Sequence, residues 1–168
     1  MLVTIDVLIV CSNLQLYATL VPDTHIAYIK QCAGPSMEPT LYDNDVLITE
    51  RISVRLQKFK TGDIVISKCP FNPKQHICKR VIGLPGDKVQ DGIIVCINYL
   101  HNYSNKKRPT TQSVPDGHVW LEGDNSCNST DSREYGPVPQ GLLRGRAVCK
   151  ILPLKSITLF ITEHSETD

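Results

Sequence analysis

The chain has 168 residues, in which 18 Lys and Arg nearly balance 17 Asp and Glu for a formal net charge of +1. That length suits one domain with a sizeable core and leaves little room for a second. The balanced charge excludes a global field toward nucleic acid or an acidic surface, and the longest basic run, Lys106-Lys107-Arg108, has no interleaved aromatics and reads as a solvated loop.

The first stretch, MLVTIDVLIVCSNLQLYATLV (1–21), is apolar in bulk but broken by Asp6, Asn13 and Gln15. It falls short of the roughly 18 uncharged apolar residues of a spanning helix. It also lacks the basic start and cleavage pattern of a secretory signal, and the arginines of a transit peptide. Asp6 and Asn13, one heptad apart, would share one face of a helix lying against membrane or protein. Residues 1–30 are therefore read as a hydrophobic, membrane-associated segment, with a buried first helix or strand as the alternative.

Next comes GPSMEPTL (34–41), a serine set between two prolines. Proline fixes its own φ and restricts the residue before it, so Ser36 sits in stiffened backbone. A rigid loop and a held nucleophile both satisfy these residues; the second needs a base from elsewhere.

From there the pattern is β. Short β-branched runs recur: DVLIT (45–49), DIVIS (63–67), ICKRVIG (77–83), GIIVCI (92–97), HVWLE (118–122) and RAVCKIL (146–152). Turn signals at Thr61-Gly62-Asp63, Pro85-Gly86-Asp87, Asp91-Gly92 and Pro115-Asp116-Gly117 separate them. This punctuation predicts a mainly β barrel or sandwich over residues 31–155, rather than alternating βαβ units. The stretch 98–113 reads as a hairpin tip or insertion, and 156–168 as a polar tail that frays after Phe160. The seven cysteines are scattered, without a C-x-x-C pair or zinc spacing. Most are expected to be small buried hydrophobes, with a disulfide between some pair left open.

Within ICKRVIG, strand alternation puts Ile77, Lys79 and Val81 on one face and Cys78, Arg80 and Ile82 on the other. A lysine between two β-branched apolar side chains loses solvation of its charged form, which lowers its pKa toward use as a general base. A snorkelling surface lysine is the plainer reading. His76 is a rival base, but alternation sends it to the other face. After HVWLE, GDNSCNSTDSREYGP (123–137) crowds hydroxyls, carboxylates and an arginine into one loop, with a glycosylation sequon at Asn128.

Taken in order, GPSMEPTL, TGDIVI, CKRVIGLPGDKV and GHVWLEGDNSCNSTDSREYGPVP resemble the type I signal peptidase family of Ser/Lys proteases, and within it the mitochondrial inner membrane branch. The resemblance implies a signal-peptidase-like β core with a shallow substrate groove, tethered to a membrane near its N-terminus. It implies Ser36 as nucleophile, Lys79 as general base, Ser129 as the hydroxyl that orients the lysine, and Asp131 with Arg133 as a pair bracing the loop. Gly62 and Asp63 match a turn leading into a strand; Gly83, Pro85, Gly86 and Asp87 match the turn after the lysine strand. Where some bacterial members place an oxyanion-hole serine two residues before the nucleophile, this chain has Gly34. The implied activity is membrane-associated endoproteolysis of precursors with sorting signals, on the intermembrane-space side of the mitochondrial inner membrane, in a heterodimer with a second protease subunit. No cofactor or metal is called for. A related Ser/Lys peptidase or the second subunit, and a catalytically silent assembly partner, stand as the other readings.

Overall fold

A computed structural model of the chain describes residues 27–90 and 111–160. The apolar start, the GIIVCI run, the polar stretch 98–110 and the tail beyond 160 lie outside the described residues. Among the described residues ten strands follow in order: β1 (Ala27–Gln31), β2 (Val46–Glu50), β3 (Ile64–Lys68), β4 (His76–Gly83), β5 (Lys88–Gln90), β6 (Thr111–Ser113), β7 (His118–Glu122), β8 (Val138–Pro139), β9 (Leu143–Leu152) and β10 (Thr158–Leu159). The fold is mainly β, as the β-branched runs predict.

An eight-stranded antiparallel sheet runs β1-β2-β9-β3-β4-β7-β8, with β10 added to β9. β5 and β6 make a separate pair. Register breaks interrupt the ladder between Val46 and Leu47, Ile48 and Thr49, Ile66 and Ser67, and Val81 and Gly83. Such irregularities bend a strand and increase its twist, and the sheet curls into a half-barrel.

The apolar run of β3 is continuous because both of its faces are covered. Neighbours Ile64 and Val65 go to different clusters, as the pleat requires. Val65 joins Phe59, Val81, Val119, Leu121, Val138 and Leu143. Ile64 joins Cys32, Met37, Leu41, Leu47 and Ala147. Full burial of a side chain of this size contributes roughly 1.5–3 kcal/mol, so the two clusters fix the sheet from both sides. The buried ion pair Lys150–Asp45, at 3.1 Å, adds a polar tie between β9 and the end of the loop after β1.

Gly62 opens the turn before β3 at φ +94°, a conformation that a side chain disfavours. Its N–H donates to Val81 O at 2.8 Å, and Asp63 Oδ2 accepts from Lys60 N at 2.8 Å. The turn after β4 closes similarly, with Leu84 N donating to Asp87 Oδ2 at 2.8 Å.

Cys32 is buried as expected, while Cys69, Cys78 and Cys149 are half-buried thiols; Cys127 is disulfide-bonded. Among the described residues no helix is long and apolar enough to cross a membrane.

Two of the open edges bear on the cleft. β1 ends the sheet on one side. β4 pairs with β3 from His76 onward but meets β7 only from Arg80. Curling brings these edges to opposite rims of a cleft of about 600 Å³, lined by Lys30, Gln31 and Cys32 on one side and His76, Ile77 and Cys78 on the other.

Candidate active site

Ser36 reaches the cleft from the loop between β1 and β2. That loop is anchored from below by Met37 and Leu41, which are 3% and 1% exposed. Leu41 N donates to Met37 O at 2.9 Å and Glu38 N to Pro35 O at 3.2 Å, so the residues after Ser36 form a tight turn. Asp43 Oδ1 accepts from Gly34 N at 3.0 Å. From the far side, Asn125 clamps the backbone twice: its N–H donates to Ser36 O at 3.0 Å and its Nδ2 to Pro35 O at 3.1 Å.

Lys79 lines the same cleft and is 4% exposed. Its cross-strand partner is Val65, and Val81 lies two residues on along the same face. Burial in this apolar surround holds the amine below the ordinary lysine range, against the opposing charges of Asp131 and Asp124. Its Nζ donates to Ser129 Oγ at 2.9 Å. Ser129 Oγ in turn donates to Asp131 Oδ2 at 2.6 Å. Because that hydroxyl proton is committed to a carboxylate, Ser129 can only accept from the lysine. One Lys79 N–H is thereby used on Ser129, and the lone pair of the neutral amine is left for another partner in the cleft.

Asp131 is fully buried. Burial pushes its carboxyl up, but hydrogen bonds from Arg133, the Gly123 N–H and Ser129 outweigh this and hold it below its usual value. Arg133 Nε donates to Oδ1 at 2.8 Å and Nη2 to Oδ2 at 2.5 Å, a bidentate pair. Asp131 also caps the helical turn Ser132–Tyr135, and Ser132 Oγ accepts from Leu121 N at 2.9 Å, fixing the loop to β7.

The loop sequence therefore builds a chain of bonds from Arg133 to Asp131 to Ser129 to Lys79. Asp131→Asn should lower stability by about 2–3 kcal/mol, since it leaves a guanidinium without its buried partner. The native carboxyl has a depressed pKa, so its stabilising contribution is present above the unfolded value and lost as pH falls through the folded one. Thermal melts from neutral to acid pH check this: the variant should lose the part of the acid sensitivity that Asp131 supplies.

Three further residues shape the site without having been singled out from the sequence. Arg80, on the opposite pleat from Lys79, donates to Asp124 through Nε at 2.8 Å and Nη2 at 2.6 Å, to Gly62 O at 2.7 Å, and to Thr40 Oγ1 at 3.4 Å. It joins the serine loop, the turn before β3 and the 123–131 loop. Asn125 is the second, through its clamp on the Pro35 and Ser36 carbonyls. Gly123 lies so close to Ser129 Oγ and Ser36 O that a Cβ there would overlap both. The packed Gly123-Asp124-Asn125 run directly after an apolar strand was the one available signal. The rival base His76 stands exposed at the cleft rim, and the Ser129 bond goes to Lys79. Among the described residues, no group of three His, Cys, Asp or Glu gathers as a metal site.

A curled antiparallel sheet that presents a desolvated amine and a loop-held hydroxyl to one open-edged cleft is the arrangement a Ser/Lys peptidase needs. The chain belongs to the signal peptidase family, peptidase S26, whose sequence model matches residues 7–152, and it is a serine peptidase of that class. It is 48% identical over 130 residues to mitochondrial inner membrane protease subunit 1 of Homo sapiens, covering 77% of this chain and 72% of that one. Mitochondrial ATP-independent inner membrane protease subunit 1b of Arabidopsis thaliana is 39% identical over 136 residues, 80% of this chain and 76% of that one. Mitochondrial inner membrane protease subunit 2 of Danio rerio is 41% identical over 133 residues, 76% of this chain and 66% of that one.

Proposed function

We propose that this peptidase removes sorting peptides from precursors delivered to the mitochondrial intermembrane space, with Ser36 as nucleophile and Lys79 as general base. The observation that carries the dyad is the Lys79 amine, buried and bonded to Ser129 in the cleft that Ser36 lines. Neutral Lys79 takes the hydroxyl proton as Ser36 Oγ attacks the scissile carbonyl. The ammonium so formed is stabilised by Ser129 and the charge of Asp131, and returns its proton to the departing amine. Lys79 then deprotonates the water that opens the acyl-enzyme. No tautomer must be fixed, so an orienting hydroxyl suffices where a histidine base would need a carboxylate. The oxyanion is received by the backbone N–H of Ser36, with Gly34 offering no side-chain donor.

The substrate enters as an extended segment between the β1 edge and the first half of β4, taking up strand hydrogen bonds on the open edges. The membrane-associated segment, read from the sequence as residues 1–30, stops before β1; the catalytic domain facing the intermembrane space, read as 31–155, takes in β1 (Ala27–Gln31) and β10 (Thr158–Leu159), which pair in the main sheet, and the polar tail follows Phe160. Relatives are named as subunits 1 and 2 of inner membrane proteases, which supports a heterodimer with a second subunit at that membrane. The test is processing of a sorting-signal precursor by the reconstituted pair, with N-terminal sequencing of the product. The cut should be present with the parental chain and vanish with Ser36→Ala. A product that persists at the parental rate sinks the assignment.

A further inference from the structure

Two thiols in the cleft are unused by the Ser36/Lys79 chemistry. Cys32 comes directly after β1, where its N–H donates to Asp45 O at 2.8 Å. Cys78 lies on β4, immediately before Lys79. The two come from opposite rims of the cleft and both line it. Cys78 packs against the apolar cluster that contains Cys32, and both are free thiols. The two thiols act on each other unequally. A hydrogen bond from Cys78 holds the Cys32 thiol below its ordinary value, against burial and the Asp45 charge and with help from Lys150 and Lys30. The same bond, with burial, pushes Cys78 up. Cys32 is thus the sulfur that more readily becomes a thiolate, and Cys78 the thiol beside it.

We propose that Cys32 and Cys78 form an oxidisable dithiol whose closure to a disulfide by a hydroperoxide ties the two rims of the cleft together and switches the peptidase off. The switch, though not the cross-link, rests on the assignment of Ser36 and Lys79 as the catalytic pair. Cys32 is only 9% exposed, which favours a small oxidant over a bulky disulfide. In the first step the Cys32 thiol gives its proton to solvent and the thiolate attacks one oxygen of hydrogen peroxide; the S–O bond forms, the O–O bond breaks, and the hydroxide released takes up that proton as water. In the second, Cys78 attacks the sulfenic sulfur; the S–S bond forms, the S–O bond breaks, and the leaving hydroxide takes the Cys78 proton as a second water. Two thiols are oxidised and one peroxide is reduced.

Covalent closure draws the sulfurs nearer than any unbonded contact. Cys32 is four residues before Ser36 and Cys78 is next to Lys79, so both reacting side chains sit on the segments that must move. The serine loop is held elsewhere by Asn125 and Asp43 and cannot follow as a rigid unit. Misplacement by about 1 Å can cost on the order of 100-fold in rate. Closing the cleft also narrows the gap that an entering substrate strand must occupy.

The experiment treats the purified full-length chain, in its processing-competent complex, with hydrogen peroxide and afterwards with dithiothreitol. Proteolytic digestion and mass spectrometry should find a peptide joining Cys32 to Cys78, lighter than its reduced parts by two hydrogens. Precursor cleavage should fall at least about 10-fold and return on reduction. In Cys32→Ser and Cys78→Ser, the ratio of treated to untreated activity should stay near one, whatever the starting rate. Absence of the joined peptide once the free thiols have reacted overturns the proposal. So does a Cys78→Ser chain that loses as much activity as the parent, since oxidation that needs no Cys32–Cys78 bond would then be responsible. The joined peptide with undiminished cleavage overturns the switch. A chain that forms the peptide but cuts nothing in either state upholds the dithiol and overturns the peptidase assignment instead.

Discussion

Lys79→Met should abolish precursor cleavage by at least about 10³-fold in kcat while leaving the fold standing. Methionine has nearly the length and shape of lysine without the amine, so the apolar packing against Val65 and Val81 survives. The hydrogen bond to Ser129 is lost, worth about 1 kcal/mol. Against this, the chain no longer has to desolvate a cation at a site that is 4% exposed. The melting temperature should therefore stay level or rise. Lys79→Arg should be just as inactive, because a guanidinium stays protonated at any accessible pH and cannot accept the serine proton.

The same amine gives the pH dependence a definite sign. In the proposed mechanism the active form of Lys79 is neutral, so cleavage is expected above its folded pKa and lost as pH falls through it. Burial lowers that pKa, so the acid limb of kcat/KM should lie below the usual lysine value of about 10.4. In stability the unfolded chain binds this proton more readily, so the desolvation cost weighs on the fold at low pH and is relieved as pH rises through the folded pKa. Lys79→Met removes that dependence. A variant retaining activity within tenfold of the parent, measured on the reconstituted pair, would show that another group takes the proton.

How far the sequence carries can be judged from particular elements. The runs DVLIT, DIVIS, ICKRVIG, HVWLE and RAVCKIL each fall on a strand, because β-branched residues in short punctuated stretches have few other places to go. Alternation within ICKRVIG correctly puts Lys79 with Val81 on the buried pleat. β1 (AYIKQ) gives no such signal: it is an edge strand with exposed ends and mixed polarity. β8, only two residues and half of them proline, is held by its partner β7 rather than by its own composition. The site shows the same division. Residue types in the serine loop and the 123–137 loop are suggestive, but the contacts that join them span the chain. Asn125 reaches Pro35 across 90 positions, and Arg80 reaches Asp124 across 44. Those meetings are set by how the sheet curls, through register breaks that no local pattern announces.

Gly123→Ala should cost about 100-fold or more in kcat, and about 1–3 kcal/mol in stability, although it adds a single methyl group. The cause is space rather than backbone conformation. A Cβ at this position would overlap Ser129 Oγ, Ser129 Cβ and the Ser36 carbonyl oxygen. Two of these belong to the side chain that orients Lys79, and the third is backbone of the serine loop, held at that oxygen by Asn125. The Gly123 N–H also donates to Asp131 Oδ2 at 2.9 Å, so moving Gly123 away to make room loosens the carboxylate that fixes Ser129. Every route of relief therefore shifts one half of the proposed dyad against the other. Gly86→Ala is the matched control: it sits at φ +87° with nothing within 4 Å, so it carries a conformational cost of about 1–2 kcal/mol without touching the cleft. Its melting temperature should fall while kcat holds. Turnover at saturating peptide and thermal melts on both variants separate the cases. If Gly123→Ala turned over at the rate of Gly86→Ala, Ser36 and Ser129 would not be held by mutual packing, and the distance between hydroxyl and amine would be set by something other than the packing around Gly123.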